Sequence, residues 1–307
     1  MQGLPSRSEG VAMKRDDIQI RDPYILCEDG LYYLYGTTDP DPWRGEGVGF
    51  DVYVSRDLEE WEGPHPAFRP PGRFWGRFNF WAPEVHVYGG AYYLFASFKA
   101  EGHCRATQVF RATSPLGPFR PHSPDPLTPR GWECLDGTLH VEGGQPWMVF
   151  CREWVQVHDG EIWAVRLSED LLTAVGVPVL LFRASSASWP APLERRDGSG
   201  RHDARVTDGP FLWRGPSGRL YLLWSSLGST GYEMGVAVSR TGKVEGPWIH
   251  EPEPLLVGDR GHAMIFRTLD GRWSLAYHHP NRTPEERFHY VEVEESEEGL
   301  RLKGEEH

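Results

Sequence analysis

Gly30-Leu31-Tyr32-Tyr33-Leu34-Tyr35, a glycine followed by a short aromatic and aliphatic run, has four further counterparts along the chain. They are Gly90-Ala91-Tyr92-Tyr93-Leu94-Phe95, Gly144-Gln145-Pro146-Trp147-Met148-Val149-Phe150, Gly218-Arg219-Leu220-Tyr221-Leu222-Leu223-Trp224 and Gly271-Arg272-Trp273-Ser274-Leu275-Ala276-Tyr277. The copies start 53 to 74 residues apart. A turn, aromatic strand and turn repeated at that period is the signature of a β-propeller, in which each repeat is one four-stranded blade. Five copies predict an all-β, five-bladed propeller. One blade cannot bury both faces of its sheet, so blades stack radially and the aromatic strands fill the gaps between them. A glycine-rich β-sandwich is the competing reading.

Composition agrees. Of 307 residues, 35 are glycine, 26 are proline and 13% are aromatic, which suits many short strands joined by tight turns. No segment breaks the period, so residues 16–307 are expected to form one propeller behind a flexible leader at 1–15. The formal net charge of -12 disfavours nucleic acid and anionic membrane as partners and favours a neutral ligand. Part of that charge lies in a solvated tail, Glu292 to Glu298 and Glu305-Glu306. The first residues lack the apolar core of a secretory signal, which predicts a cytoplasmic protein. Cys27, Cys104, Cys134 and Cys151 have neither zinc-site spacing nor the density of a disulfide scaffold and read as free thiols.

The residues ahead of each aromatic strand come from the inner region of the propeller, where a ligand would bind. They are Arg21-Asp22-Pro23-Tyr24, Phe80-Trp81-Ala82-Pro83-Glu84, Leu135-Asp136-Gly137-Thr138, Val206-Thr207-Asp208-Gly209-Pro210 and Gly261-His262-Ala263-Met264. Asp22, Asp136 and Asp208 read as acids at equivalent repeat positions, which would place three carboxyls around one axis. Like charges at close range force at least one pKa upward. Unequal pKa values let one carboxyl act as general acid and another as general base, the division of labour in glycoside hydrolysis. Each aspartate taken singly also suits an Asx-turn or a strand-end cap.

With these motifs in order, the chain resembles glycoside hydrolase family 43, five-bladed propellers acting on arabinose- and xylose-containing glycans. Arg21-Asp22-Pro23-Tyr24-Ile25, Trp81-Ala82-Pro83-Glu84-Val85, Leu135-Asp136-Gly137, Asp208-Gly209-Pro210-Phe211 and Gly261-His262 carry the likeness, over roughly residues 18 to 295. The resemblance implies a general base at Asp22, a pKa-tuning aspartate at Asp136 and the general acid at Asp208, where most of the family has glutamate. Glu153, in Cys151-Arg152-Glu153-Trp154, is the alternative acid, and a surface glutamate paired with an arginine is its structural reading. Glu84 is expected in the scaffold of its motif. His262 either binds a water or a largely hydrated structural calcium ion in the channel, or is a core histidine holding blade five in register. No cofactor is expected to be required.

Sugar rings present apolar faces to aromatics and hydroxyls to charged groups. Trp81, Phe80, Trp43 and Trp154 are therefore candidate substrate contacts, with His262 and with Arg287, placed where similar enzymes keep an arginine on the terminal sugar. Ser55 to Trp61 reads as the outer edge of blade one. Two functions fit: an inverting glycosidase acting on α-L-arabinofuranosides or β-D-xylosides in plant-derived oligosaccharides, or a sugar-binding or sensing propeller whose acid site has weakened at Asp208. The longest interval separates the third and fourth copies, so an inserted loop around Trp189 to Asp203 is expected to adjust the site to the shorter acid.

Overall fold

The computed structural model of the chain describes residues 11–193 and 203–304. The strands group in chain order into five antiparallel sheets. Blade one contains Arg21–Glu28, Leu31–Thr37, Phe50–Ser55 and Glu60–Phe68, and blade two Phe78–Tyr88, Ala91–Ala100, His103–Ala112 and Arg120–Pro121. Blade three contains Cys134–Glu142, Gln145–Arg152, Glu161–Leu167 and Ala174–Arg183. Blade four contains Asp208–Arg214, Leu220–Gly228, Gly231–Ser239 and Trp248–His250, and blade five Gly261–Arg267, Trp273–His279, Arg287–Ser296 and Gly299–Lys303. The first strands of the five blades touch one another in a closed ring around the axis. The glycine-aromatic copies are the second strands. The only α-helix among the described residues is the single turn Trp154–Val157.

One element departs from expectation. Val11–Lys14, predicted to belong to the leader, pairs with Glu60–Gly63 as a fifth, outermost strand of blade one. An unpaired edge of that blade offers backbone groups to any extended segment that reaches it, and these four residues need no strong apolar pattern to use them. Residues 1–10 lie outside the described residues.

The core lies between blades. Phe50, Phe68, Phe80, Phe98 and Phe110 interlock blades one and two, Phe95, Val109, Met148 and Phe150 join two and three, and Val149, Phe182, Leu222 and Trp224 join three and four. Leu223, Ile265 and Leu275 join four and five, and Tyr32, Phe266 and Phe288 close five onto one. Each buried aromatic or aliphatic side chain contributes about 1.5–3 kcal/mol.

Every first strand carries a break in register at the same place: between Arg21 and Tyr24, Trp81 and Glu84, Leu135 and Thr138, Asp208 and Phe211, and Gly261 and Met264. Within each bulge one residue adopts left-handed backbone: Asp22 (φ 52°), Ala82 (47°), Asp136 (55°), Gly209 (51°) and His262 (51°). Its N–H leaves the ladder and must be satisfied elsewhere, because a buried, unpaired amide costs about 1–3 kcal/mol.

The preceding blade supplies the acceptor. Ala82 N–H donates to Thr37 Oγ1 (2.9 Å), Asp136 N–H to Ser97 Oγ (2.8 Å), His262 N–H to Ser225 Oγ (2.8 Å) and Asp22 N–H to His278 Nδ1 (3.2 Å). All four acceptors sit near the end of a second strand, directly across the ladder from the residue before the left-handed one: Arg21 with Thr37, Trp81 with Ser97, Asp208 with Ser225 and Gly261 with His278. In blade three that place falls to Cys151, opposite Leu135. A thiol is a weak acceptor. There Gly209 N–H donates instead to Asp136 Oδ2 (2.9 Å).

Ser225→Ala removes one such acceptor at a fully buried position and should lower unfolding free energy by about 1–3 kcal/mol in urea denaturation. A loss below about 0.5 kcal/mol would show that this hydroxyl does not secure blade five.

Candidate active site

Most of the left-handed residues and the residues before them line one axial cavity of about 410 Å³. Asp22, Asp136 and His262 line it from left-handed positions, and Arg21, Trp81, Leu135 and Asp208 from the positions before them. Asp208 is therefore equivalent to Arg21, Trp81 and Leu135, one residue earlier than Asp22 and Asp136, which corrects the expectation of three acids at matched positions. The reason is steric. The left-handed place in blade four belongs to Gly209, where a Cβ would lie 2.9 Å from the His262 ring.

Asp22 is fixed on several sides. Thr37 Oγ1 donates to Oδ2 at 2.7 Å, His262 Nδ1 lies 3.1 Å from Oδ1, and His278 receives the backbone N–H. Burial pushes its carboxyl pKa up, but His262, Arg21, His278 and the Thr37 hydroxyl bring it below the ordinary value. Burial, with charge repulsion from Asp208 and Asp22, raises Asp136 to about 7 against the pull of His262 and the Gly209 N–H. Asp208 accepts from Tyr232 OH at 3.2 Å; burial and then Asp22 raise it to about 6 while His262 opposes. His262 is itself raised: burial lowers it, and the three aspartates more than compensate.

Behind Asp22, burial and the charge of Arg21 hold His278 down at about 3. Neutral, it accepts from Asp22 N–H at Nδ1 and donates from Nε2 to Asn281 Oδ1 at 3.1 Å. Its ring stacks on Tyr232 with centroids 5.6 Å apart, so the supports of Asp22 and Asp208 touch.

The aromatic candidates divide. Trp81, Trp43 and Trp154 line the cavity. Trp81 donates to Pro42 O at 2.7 Å and lies edge-on to Trp43, and Trp43 reaches across the mouth to Thr283 Oγ1 at 2.9 Å. Phe80 is corrected: it is 1% exposed and packs against Phe98, Phe50 and Phe74 in the core. Arg287 is also corrected. Its Nε donates to Asp16 O at 2.7 Å and its Nη1 to Pro284 O and Glu286 O, on the seam between blades five and one and away from the cavity.

Sequence reasoning missed the two cations that do line the cavity, Arg21 and Arg105. Arg21 pairs with Glu286 (3.0 Å), bonds Asn281 Oδ1 (2.6 Å) and lies over Trp43 (4.8 Å). Arg105 stacks 4.1 Å over Trp81, bonds Asn79 Oδ1 (3.1 Å) and pairs with Glu153. Burial lowers the Arg105 pKa to about 10. Glu153 thus lies buried in the cavity wall as the partner of an arginine. Glu84 accepts from Thr138 Oγ1 (2.5 Å) and contacts His86 (3.0 Å), within the scaffold as expected.

The donors around His262 do not fit a protein-held calcium, which wants six to eight oxygens. Its Nδ1 is engaged by Asp22, and among the described residues no group of three or more His, Cys, Asp or Glu side chains is arranged around an ion. Of the loop expected to adjust the acid, Leu193 lines the cavity and Trp189 packs on Trp224, while 194–202 lie outside the described residues.

A cleft of carboxyls with divergent pKa values, walled by indoles and two arginines, is the equipment of an enzyme that cleaves sugar acetals. Residues 17–294 match Glycosyl hydrolases family 43, and the chain belongs to that family as a glycosidase hydrolysing O-glycosyl bonds. It is 40% identical to the endo-arabinase of Bacteroides thetaiotaomicron, covering 95% of this chain and 99% of that one with a TM-score of 0.85. It is 25% identical to the endo-1,4-β-xylanase of the same organism, with a TM-score of 0.72 over 94% of this chain and 96% of that one. It is also 25% identical, over 76% of its length and 67% of the relative, to the extracellular exo-α-(1→5)-L-arabinofuranosidase of Cellvibrio japonicus. That relative works outside the cell and overturns the cytoplasmic location expected from the leading residues.

Cys151→Ser should place a hydroxyl where blades one, two and four have one and draw Gly209 N–H away from Asp136. Losing that donor removes a lowering influence on Asp136, so the upper apparent pKa of the Asp136–Asp208 pair should rise in a carboxyl-carbon NMR titration. An unchanged titration would mean that Asp136 keeps the donor.

Proposed function

We propose that this enzyme hydrolyses α-L-arabinofuranosidic bonds in arabinose-rich glycans outside the cell, with inversion at the anomeric carbon. The observation that carries the reading is the placement, in one cavity, of a carboxyl held below its ordinary pKa, Asp22, and another held at about 6, Asp208. Likeness to an endo-arabinase at 40% identity over nearly both whole chains favours arabinose over xylose.

In the proposed step Asp22 takes a proton from a water as the water oxygen bonds to the anomeric carbon. Asp208 gives its proton to the departing glycosidic oxygen as that carbon–oxygen bond breaks. Asp136, raised to about 7 by burial and by repulsion from both carboxyls, is protonated alongside Asp208 in this reading and helps to orient the acid. An inverting pair needs roughly 6.5 to 9.5 Å between carboxyls to admit the water. Asp22 and Asp208 line the same cavity one strand position apart, and this reading requires that their carboxyls leave that room. Glu153, engaged by Arg105, serves in this reading to hold Arg105 against the sugar. The steps use water and carboxyl groups and require no cofactor.

The pH profile on an aryl arabinofuranoside should be bell-shaped. Asp22 lies below the ordinary carboxylate range, so its base form persists until the solution is distinctly acidic. Asp208 is protonated below about 6, so kcat/KM should fall as pH rises past that value. Asp22→Ala and Asp208→Asn should each cost about 10²- to 10⁴-fold in kcat with folding retained, and Glu153→Gln should act mainly on KM. A wild type inactive on every pentoside offered, yet retaining affinity for them, would favour the sugar-binding reading that the short acid suggests. A kcat collapse confined to Glu153→Gln would move the acid to Glu153.

A further inference from the structure

A second cleft, of about 680 Å³, opens on the flank of blade two. Its walls include Trp75, His103, Ala106, Trp132 and several prolines. We propose that it is an accessory subsite for the distal part of a glycan chain whose scissile bond lies in the axial cavity. This rests on the arabinan-hydrolase reading above.

The two spaces share a wall. Along His103–Ala112 side chains alternate between faces. Arg105 enters the axial cavity, while Cys104 and Ala106 line the flank cleft. A polar pair links the residues of the two spaces: Glu133 receives Lys99 Nζ (3.0 Å to each oxygen) and Arg105 N–H (2.7 Å). Glu133 follows Trp132 in the flank wall, and its carbonyl accepts Glu153 N–H at 2.9 Å. Gln156, in the helical turn that begins at the cavity residue Trp154, donates to Gly131 O at 2.9 Å. The proposed path leads a chain from the cavity past Trp154 and Arg105, over the Lys99–Glu133 pair, whose carboxylate and ammonium suit hydroxyl groups, to the flank cleft.

The cleft is built for sugar rings. Trp75 turns its N–H inward to Gln108 Oε1 (2.6 Å), and Gln108 is held in turn by Ser123 O (2.7 Å), so the indole is locked and its unspent surface is carbon. Trp132 is clamped beneath Arg152 (4.1 Å) and against Trp163 (4.8 Å). Fixed aromatic surfaces lose little entropy on binding, and proline walls add none. The charged side chains at the rim, Arg73, Arg130 and Asp125, carry both signs, which suits a neutral occupant.

The test uses the full chain in native gels containing soluble linear α-1,5-arabinan, in an Asp22→Asn background so that the polymer survives. Adding Trp75→Ala should weaken retardation about five- to tenfold, and Ala106→Phe, which fills the cleft, should do the same with an unchanged melting temperature. With Asp22 intact, either change should raise KM on arabinan by a similar factor and leave kinetics on an aryl arabinofuranoside alone. Retardation or polymer KM that both changes leave at the parent value overturns the subsite, as does absence of any retardation. Should Trp75→Ala fail to fold, Ala106→Phe decides. The aryl-glycoside assay reports the catalytic reading separately, because the gel needs no turnover.

Discussion

The amide of one left-handed residue in each innermost strand governs the molecule. Turning that N–H out of its own ladder leaves a buried donor, and only the neighbouring blade can satisfy it. Thr37, Ser97, Ser225 and His278 do so, each tying one blade's second strand to the next blade's first. The hydrophobic seams supply most of the stabilisation, but apolar contacts are poorly directional. These hydrogen bonds set the angle of each blade about the axis, and with it the direction of the side chains at 22, 136 and 262. Site and scaffold are therefore one structure. In blade three, where Cys151 replaces a hydroxyl, a carboxyl of the site itself makes the inter-blade bond.

The crowding of charge is balanced locally. Three carboxyls share the cavity with His262 and Arg21, and the pull of each on its neighbours separates their affinities for protons. Asp22, between His262 and Thr37 with Arg21 beside it, is pressed toward ionisation. Asp208 accepts from Tyr232, and burial with the charge of Asp22 outweighs that bond and the pull of His262 and Arg21, pressing it the other way. Neighbours rather than position along the strand decide this, since Asp136 shares the left-handed place of Asp22 and is nonetheless raised to about 7.

Much of this was readable in the chain. The glycine-aromatic strands gave blade number and order because each is a second strand with both faces against other blades, which forces bulky apolar residues at a fixed offset from a turn. Asp22, Asp136, Asp208, His262, Trp43, Trp81 and Trp154 do meet in one cavity. Two of the failures share a physical cause. A bulge inserts a residue and resets the alternation, so Phe80 could not be told from Trp81, nor Asp208 from the positions of Asp22 and Asp136, by counting. Arg105 lies in an ordinary strand, Cys104-Arg105-Ala106, and nothing local marks it. Arg21 stood beside a catalytic motif, but its role depends on Glu286 and Asn281, more than two hundred residues away. Arg287 is next to that pair in sequence, yet the seam with Asp16 claims it.

That seam bears on how the enzyme is made. Asp22 comes from the first blade, while His278, Asn281 and Glu286, which orient it directly or through Arg21, all come from the last. A growing chain thus carries the nucleus of its base early but cannot hold it in place until blade five has emerged and closed on blade one. Until then the aspartate lacks its histidine and its buried cation, and partly synthesised or clipped copies would lack a formed base. Closure of the ring and readiness for chemistry are the same event.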